Sequence, residues 1–157
     1  MSNSSSKANK SPAPDAVCLG LITLGTLIIV DKLAETNTGV VPEQVIEYLS
    51  DDGVIAALAL NQWGATSGVI GTKLGRDAAG REAIRQLADS GVAGSFKMTS
   101  KYRTPVEISI ADKGGNRTYY WADREEPLST LDDADLSMIE NAKLLYVDWY
   151  DHGHILT

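Results

Sequence analysis

The chain has 157 residues, enough for one domain with a sizeable core. Its 14 lysines and arginines face 21 aspartates and glutamates, a formal net charge of −7. The basic residues are scattered from Lys7 to Lys143, so the clustered basic face that nucleic acid or an anionic membrane requires is missing and both are excluded as partners.

Residues 1–14, MSNSSSKANKSPAP, contain almost nothing to bury and read as a disordered leader, with the ordered domain over 15–157. The run VCLGLITLGTLIIVDKL follows, uncharged from Val17 to Val30. It is shorter than the ~20 apolar residues of a spanning helix. A signal-peptide core flanked by Lys7 and Lys10 is the alternative. Against it stand Asp15 beside the run, Gly20 and Gly25 inside it, the β-branched Thr23, Thr26, Ile28, Ile29 and Val30, and no small-x-small cleavage site after Val30. The run therefore predicts a buried strand near 16–23, a bend at Gly25 and a second strand near 26–31, in a cytoplasmic protein. Cys18, the sole cysteine, cannot form an intramolecular disulfide and reads as a small buried hydrophobe.

Residues 38–48, TGVVPEQVIEY, predict a short sheet outside the core, with Pro42 at an edge or bend. SDDGVIAALALNQWG predicts a helix capped by Asp51 or Asp52, apolar all round from Val54 to Leu60, and stopped by Gly64. A core strand over 66–71 comes next. RDAAGREAIRQLADSG predicts an amphipathic helix with Gly80, Ile84, Leu87 and Ala88 on one side, ended by Gly91. SFKMTS is a short strand. TPVEISIADKGGNRTYYWAD is a hairpin with Val106, Ile108 and Ile110 on one face and DKGGN at the turn. STLDDADLSMIENA gives a short capped helix and KLLYVDW a last buried strand. This order implies an α/β domain with a mainly parallel sheet flanked by helices.

GTKLGRDAAG lacks the Gly-Lys-Ser/Thr ending of a phosphate loop, so Gly75 and Gly80 read as a tight bend and a close helix contact. Asp148, Asp151, His152 and His154 offer metal-ligating types near the end of the chain, but no metal site is assigned; Asp148 to His154 can equally line a pocket. Tyr119, Tyr120, Trp121, Trp149 and Tyr150 are expected to pack in the core or on sheet faces.

Four stretches in order carry a resemblance: CLGLITLGTLIIVDKL, GVIAALALNQWGATSGVIGTKLGRDAAGREAIRQLADSGV, ISIADKGGNRTYYWAD and MIENAKLLYVDWYDHGHI. Together they resemble the N-terminal half of the ribokinase-like (PfkB-type) carbohydrate kinases, across nearly all of residues 16–155. The resemblance implies an α/β core with a small β lid, here about 26–49. It also implies phosphoryl transfer from ATP, with Mg2+, to a sugar hydroxymethyl group held between core and lid, and a lid that often forms a dimer interface.

The family's catalytic base and phosphoryl cradle lie in a G-A-G-D motif that this sequence does not contain; GVAGS and DKGGN are its nearest glycine clusters. No catalytic residue and no cofactor is therefore assigned to this chain, and ATP and Mg2+ belong to complete family members. Where the family has an aspartate late in the first strand, this chain has Gly25. The usual Gly-Gly pair is Ser50–Asp51, and the asparagine of the first helical turn is Ile55. By position, the substrate contacts fall on Asn37, Asp51, Asp52 and Gly53. The expected roles are a truncated sugar kinase inactive alone or, alternatively, a non-catalytic sugar-binding or regulatory module that pairs with a complete kinase. A last strand with nothing after it to cover it is expected to dimerise or aggregate.

Overall fold

The apolar run that opens the ordered chain forms two strands, and they belong to different sheets. The structure is a computed structural model that describes residues 13–70, 73–94, 96–122 and 136–148. In chain order the elements are β1 (Ala16–Leu19), β2 (Thr23–Val30), β3 (Gln44–Ser50), α1 (Asp52–Gln62), β4 (Ser67–Ile70), β5 (Lys73–Gly75), α2 (Ala78–Ser90), β6 (Ala93–Gly94), β7 (Lys97–Thr99), β8 (Val106–Asp112), β9 (Arg117–Trp121), α3 (Leu136–Asn141) and β10 (Leu144–Val147). The expected leader, the start of the last helix and residues 149–157 lie outside the described residues, apart from positions 13 and 14.

The core sheet has the order β10-β1-β4-β6, with every pair parallel. Its central strand is buried on both faces, as a parallel strand between layers must be. Cys18, Ile22 and Val69 pack with Val54 and Ala57 of α1 and with Ala83 and Leu87 of α2. Val17, Leu19 and Ile70 pack on the other side against Met138 and Ile139 of α3. Burial pushes the Cys18 thiol up to about 11, so it stays neutral and serves as packing. None of the described helices is long and apolar enough to cross a membrane.

The second sheet, β3-β2-β8-β9, contains the 26–49 region expected as a lid, and we refer to it by that name. β2 and β8 run parallel; the two outer pairs are antiparallel. The lid thus takes in the later hairpin as well as the 26–49 region. Its remote end is tied by Lys113, whose ammonium bonds Asp31 at 3.0 Å and Glu43 at 2.5 Å. β3 begins after Pro42, and Val40 and Val41 stay outside it and exposed. The hairpin turns over Asp112 to Asn116 as expected, with the Asp112 carboxylate accepting both the Asn116 backbone and side-chain N–H.

Four expectations are corrected. The last strand, β10, is not buried: Leu144, Leu145 and Tyr146 are exposed, because it is the end strand of the core sheet. The bend lies at Gly20, not Gly25: the chain breaks over residues 20–22 and β2 runs straight through Gly25. Helix α1 is not buried all round. Gly53, Val54 and Ala57 are buried while Ile55 is 47% exposed, because α1 covers the sheet from one side only. In α2 the buried stripe is Gly80, Ala83 and Leu87, and Ala88 is exposed, since residue 88 lies outside the i, i+3, i+7 row that starts at 80.

Asp77 caps α2 by accepting from the Gly80 N–H at 2.8 Å. The same carboxylate accepts from the Thr104 N–H (2.9 Å) and hydroxyl (2.8 Å), and the Thr104 hydroxyl accepts from the Gly75 N–H at 2.9 Å. The KLGRDAAG part of this stretch is therefore a structural joint between helix, bend and lid hairpin, as Gly75 and Gly80 suggest. Partial burial works against the ionised form of Asp77, but the bonds from Thr104 and Gly80 outweigh it and hold the carboxyl below its ordinary value. Asp77→Ala is expected to lower stability by about 2 kcal/mol. The check is a lower urea midpoint at unchanged slope. Because the folded pKa is depressed, this contribution is complete above the unfolded value of about 4 and is lost as pH falls through the folded one, so the two proteins should converge in acid.

Candidate functional site

Ligands of open parallel sheets bind outside the carboxyl ends of the strands. Here β1 ends at Leu19 and β10 at Val147, and the start of α1 meets them. The junction is a backbone-on-backbone contact: a Cβ added at Gly20 would lie 2.8 Å from the Gly53 Cα and 3.3 Å from the Asp148 Cβ. Only glycines allow that approach, and it brings the start of α1 and the end of β10 together around one point. The Asp148 N–H donates to the Leu19 carbonyl at 3.0 Å, and the residue is buried.

Neither Asp51 nor Asp52 caps α1 through its side chain. Asp51 stands at the N-cap position with φ +82°, a conformation rare outside glycine. Its carboxylate accepts from the Thr23 hydroxyl instead, joining the first residue of the lid strand to the start of the core helix. Strain of this kind persists where the surroundings over-determine it, commonly at ligand sites. Asp52 is exposed in the first turn. Burial, then the negative charges of Asp52 and Asp148, raise the phenol of Tyr146 above its ordinary value. Gly53 is buried and serves the contact with Gly20. Asn37 (φ +62°) sits in the loop joining the ends of β2 and β3 remote from Asp51. Seven residues of strand, about 23 Å of rise, separate Thr23 from Val30, so the loop that carries Asn37 leaves and re-enters the sheet at the far end from Asp51. Of the metal-ligating types, only Asp148 lies within the described residues.

The lid contributes residues that sequence reasoning missed. Leu24 and Leu49 point to the side where α2 packs: Leu49 shares a cluster with Ala83 and Leu87. The opposite face starts at Thr23 and Ser50, beside Asp51. On it, Tyr48, Gly25, Glu107 and Trp121 stand in register across all four strands. With no side chain at Gly25, the Tyr48 ring lies across β2; a Cβ there would sit 2.6 Å from the ring. Its hydroxyl donates to Glu107 Oε1 at 2.7 Å and meets the Ser109 hydroxyl at 3.1 Å. Trp121 Nε1–H donates to Glu107 Oε2 at 2.7 Å. Glu107 is 8% exposed. Val106, Ile108 and Ile110 do share one face, but Val106 and Ile108 are exposed and the polar residues between them, Glu107 and Ser109, are buried. Tyr119, Tyr120 and Trp121 are exposed and not core, because β9 is an edge strand of the lid.

Neither of the two long helices presents an open start to a phosphate. Phosphate binding at a helix N-terminus needs open N–H groups and no competing anion. The start of α1 carries Asp51 and Asp52, and that of α2 is filled by Asp77.

No protein-family model matches the sequence, and no curated protein matches it. Solved structures do. A protein of Agrobacterium tumefaciens described as a ribokinase superposes with a TM-score of 0.74 at 21% identity, over 87% of this chain and 44% of its own. The fructokinase of Xylella fastidiosa gives 0.66 at 17% identity, over 85% and 41%. The ribokinase of Arabidopsis thaliana, solved with ribose and ATP, gives 0.64 at 16% identity, over 86% and 45%. The chain spans under half the length of these neighbours. Over the part it spans, it has the ribokinase-like α/β fold of these neighbours.

Proposed function

We propose that these residues form the sugar-binding and lid half of a ribokinase-like carbohydrate kinase and transfer no phosphate by themselves. The observation that carries the reading is the junction of Gly20, Gly53, Asp51 and Asp148 at the carboxyl ends of the core strands, with the polar face of the lid rising from Thr23 beside it. Asp51 and Asp52 accept hydroxyls of a small sugar there, and Gly53 sets the approach. The ribose in the Arabidopsis neighbour supports a sugar as the ligand class. ATP and Mg2+ would be held by residues outside this sequence, since neither helix start described here fits phosphate. Cytoplasmic location suits an ATP-linked role.

The second reading, a non-catalytic module that pairs with a complete kinase through its lid, is favoured by one feature. Val45, Val106, Ile108 and Tyr120 are exposed on the lid face that carries Leu24, and β3 and β9 leave open edges. Both readings predict no turnover by the chain alone. A coupled ADP-release assay with pentoses, hexoses and nucleosides should stay at background. Sugar-dependent turnover abolished by Asp51→Ala or Asp148→Ala would overturn both.

A further inference from the structure

The polar face of the lid is wider than the junction around Asp51 requires. Thr23 and Ser50 form its first row, against Asp51. The next row, two residues along, is Tyr48, Gly25, Glu107 and Trp121. From Thr23 to Trp121 is two residues along the strand and two strands across, about 12 Å. That footprint is larger than one pyranose ring.

The chemistry along it is that of carbohydrate recognition. Glu107 is a buried carboxylate on the sheet face that carries Tyr48 and Trp121. Each oxygen is fixed by one aromatic donor, Tyr48 or Trp121, and a carboxylate oxygen can accept more than one hydrogen bond. Beside it, the rings of Tyr119 and Trp121 lie 2° from parallel with centroids 5.6 Å apart, and both are exposed. A stacked, exposed ring pair next to an oriented carboxylate offers an outer ring face to the C–H face of a sugar and an acceptor for its hydroxyls. The opposite lid face exposes Val45, Val106, Ile108 and Tyr120, with no buried carboxylate among them, and suits a protein partner better than a sugar.

We propose that this lid face is a second sugar subsite: the Tyr119–Trp121 platform stacks a second ring and Glu107, positioned by Tyr48 across Gly25, accepts its hydroxyls, so that the ligand is a glycoside of two or more rings. The proposal rests on the sugar-binding reading above.

The test uses the full chain and calorimetric titration with ribose, fructose and glucose against sucrose, maltose and cellobiose. At least one two-ring saccharide should bind about tenfold tighter than its component monosaccharides. In Trp121→Ala that advantage should vanish. In Glu107→Gln it should fall about fivefold. Trp121→Phe, which keeps a ring but loses the N–H, should retain part of it, and Thr118→Ala on the other face of β9 should retain all of it. Circular dichroism establishes that each variant is folded. Monosaccharide binding that is lost in Asp51→Asn, with no two-ring advantage, would overturn the subsite and leave the sugar-binding reading standing. Absence of binding by every saccharide would overturn both. A change in sedimentation of Trp121→Ala without a change in saccharide preference would assign this face to contacts between chains and overturn the proposal.

Discussion

Gly20→Ala is expected to destabilise the protein by about 3 kcal/mol, at the upper end of what forced overpacking costs. The added Cβ would meet backbone, the Gly53 Cα at 2.8 Å and its nitrogen at 3.2 Å, and backbone cannot swing aside as a side chain can. Relief requires α1 to move off β1, which opens the contact with Val54 and Ala57 and displaces Asp51 from Thr23. Urea unfolding should show a midpoint lowered by at least 1 M if the slope is about 2 kcal/mol per molar. Gly25→Ala is the instructive contrast. There the added atom meets the Tyr48 ring, which can rotate away, so stability falls less while the hydroxyl contact with Glu107 is lost. Equal destabilisation by the two substitutions would mean that the Gly20–Gly53 contact does not organise the junction.

Much of the fold was legible because its signals are local. An uncharged β-branched run became β1 and β2, the Gly91 stop ended α2 with φ +73°, and DKGGN turned the hairpin. Gly20 and Gly25 show where local reading fails. Either glycine can end a strand, and sequence alone does not say which one another backbone approaches. Gly20 makes the turn because Gly53, 33 residues later, packs on it; Gly25 stays in the strand because Tyr48 needs its empty space. Ala88 was misplaced for a smaller reason: it is the flank of a helical stripe whose centre is fixed by where the sheet lies.

The candidate site divides in the same way. Asp51 and Asp52 stood out as acidic residues before a helix, yet their usual role, capping, is not the one Asp51 plays. Its backbone takes φ +82° and its carboxylate turns to Thr23, a partner 28 residues away. Asn37 rests on position in a family pattern alone, and it lies in the loop between β2 and β3. Glu107 had a signal that went unused: a carboxylate and a serine interleaved with Val106, Ile108 and Ile110 mark a strand with one polar face. What no spacing rule provides is the register that sets Glu107 opposite Gly25 and within reach of a tyrosine 59 residues earlier.

The second large effect concerns association. β10 is the end strand of the core sheet, and among the described residues its outer edge has no paired strand. Leu144, Leu145 and Tyr146 are 53%, 43% and 36% exposed, although they alternate between the two faces of the sheet. Burying a large apolar side chain contributes about 1.5–3 kcal/mol, so even half of that from each of three residues amounts to several kcal/mol available to any covering surface. A parallel edge with unpaired N–H and C=O groups adds a template for strand pairing. The isolated 157-residue chain is therefore expected to form dimers or larger species at micromolar concentration and to dissociate on dilution, as light scattering and sedimentation would show. Leu145→Lys should shift that equilibrium toward monomer, by placing a charge on the edge, without disturbing Val147, which packs inside against Leu19 and Ile70. A chain that stays monomeric across the dilution series and unfolds cooperatively would mean that β10 is covered in solution and that these residues close their own core.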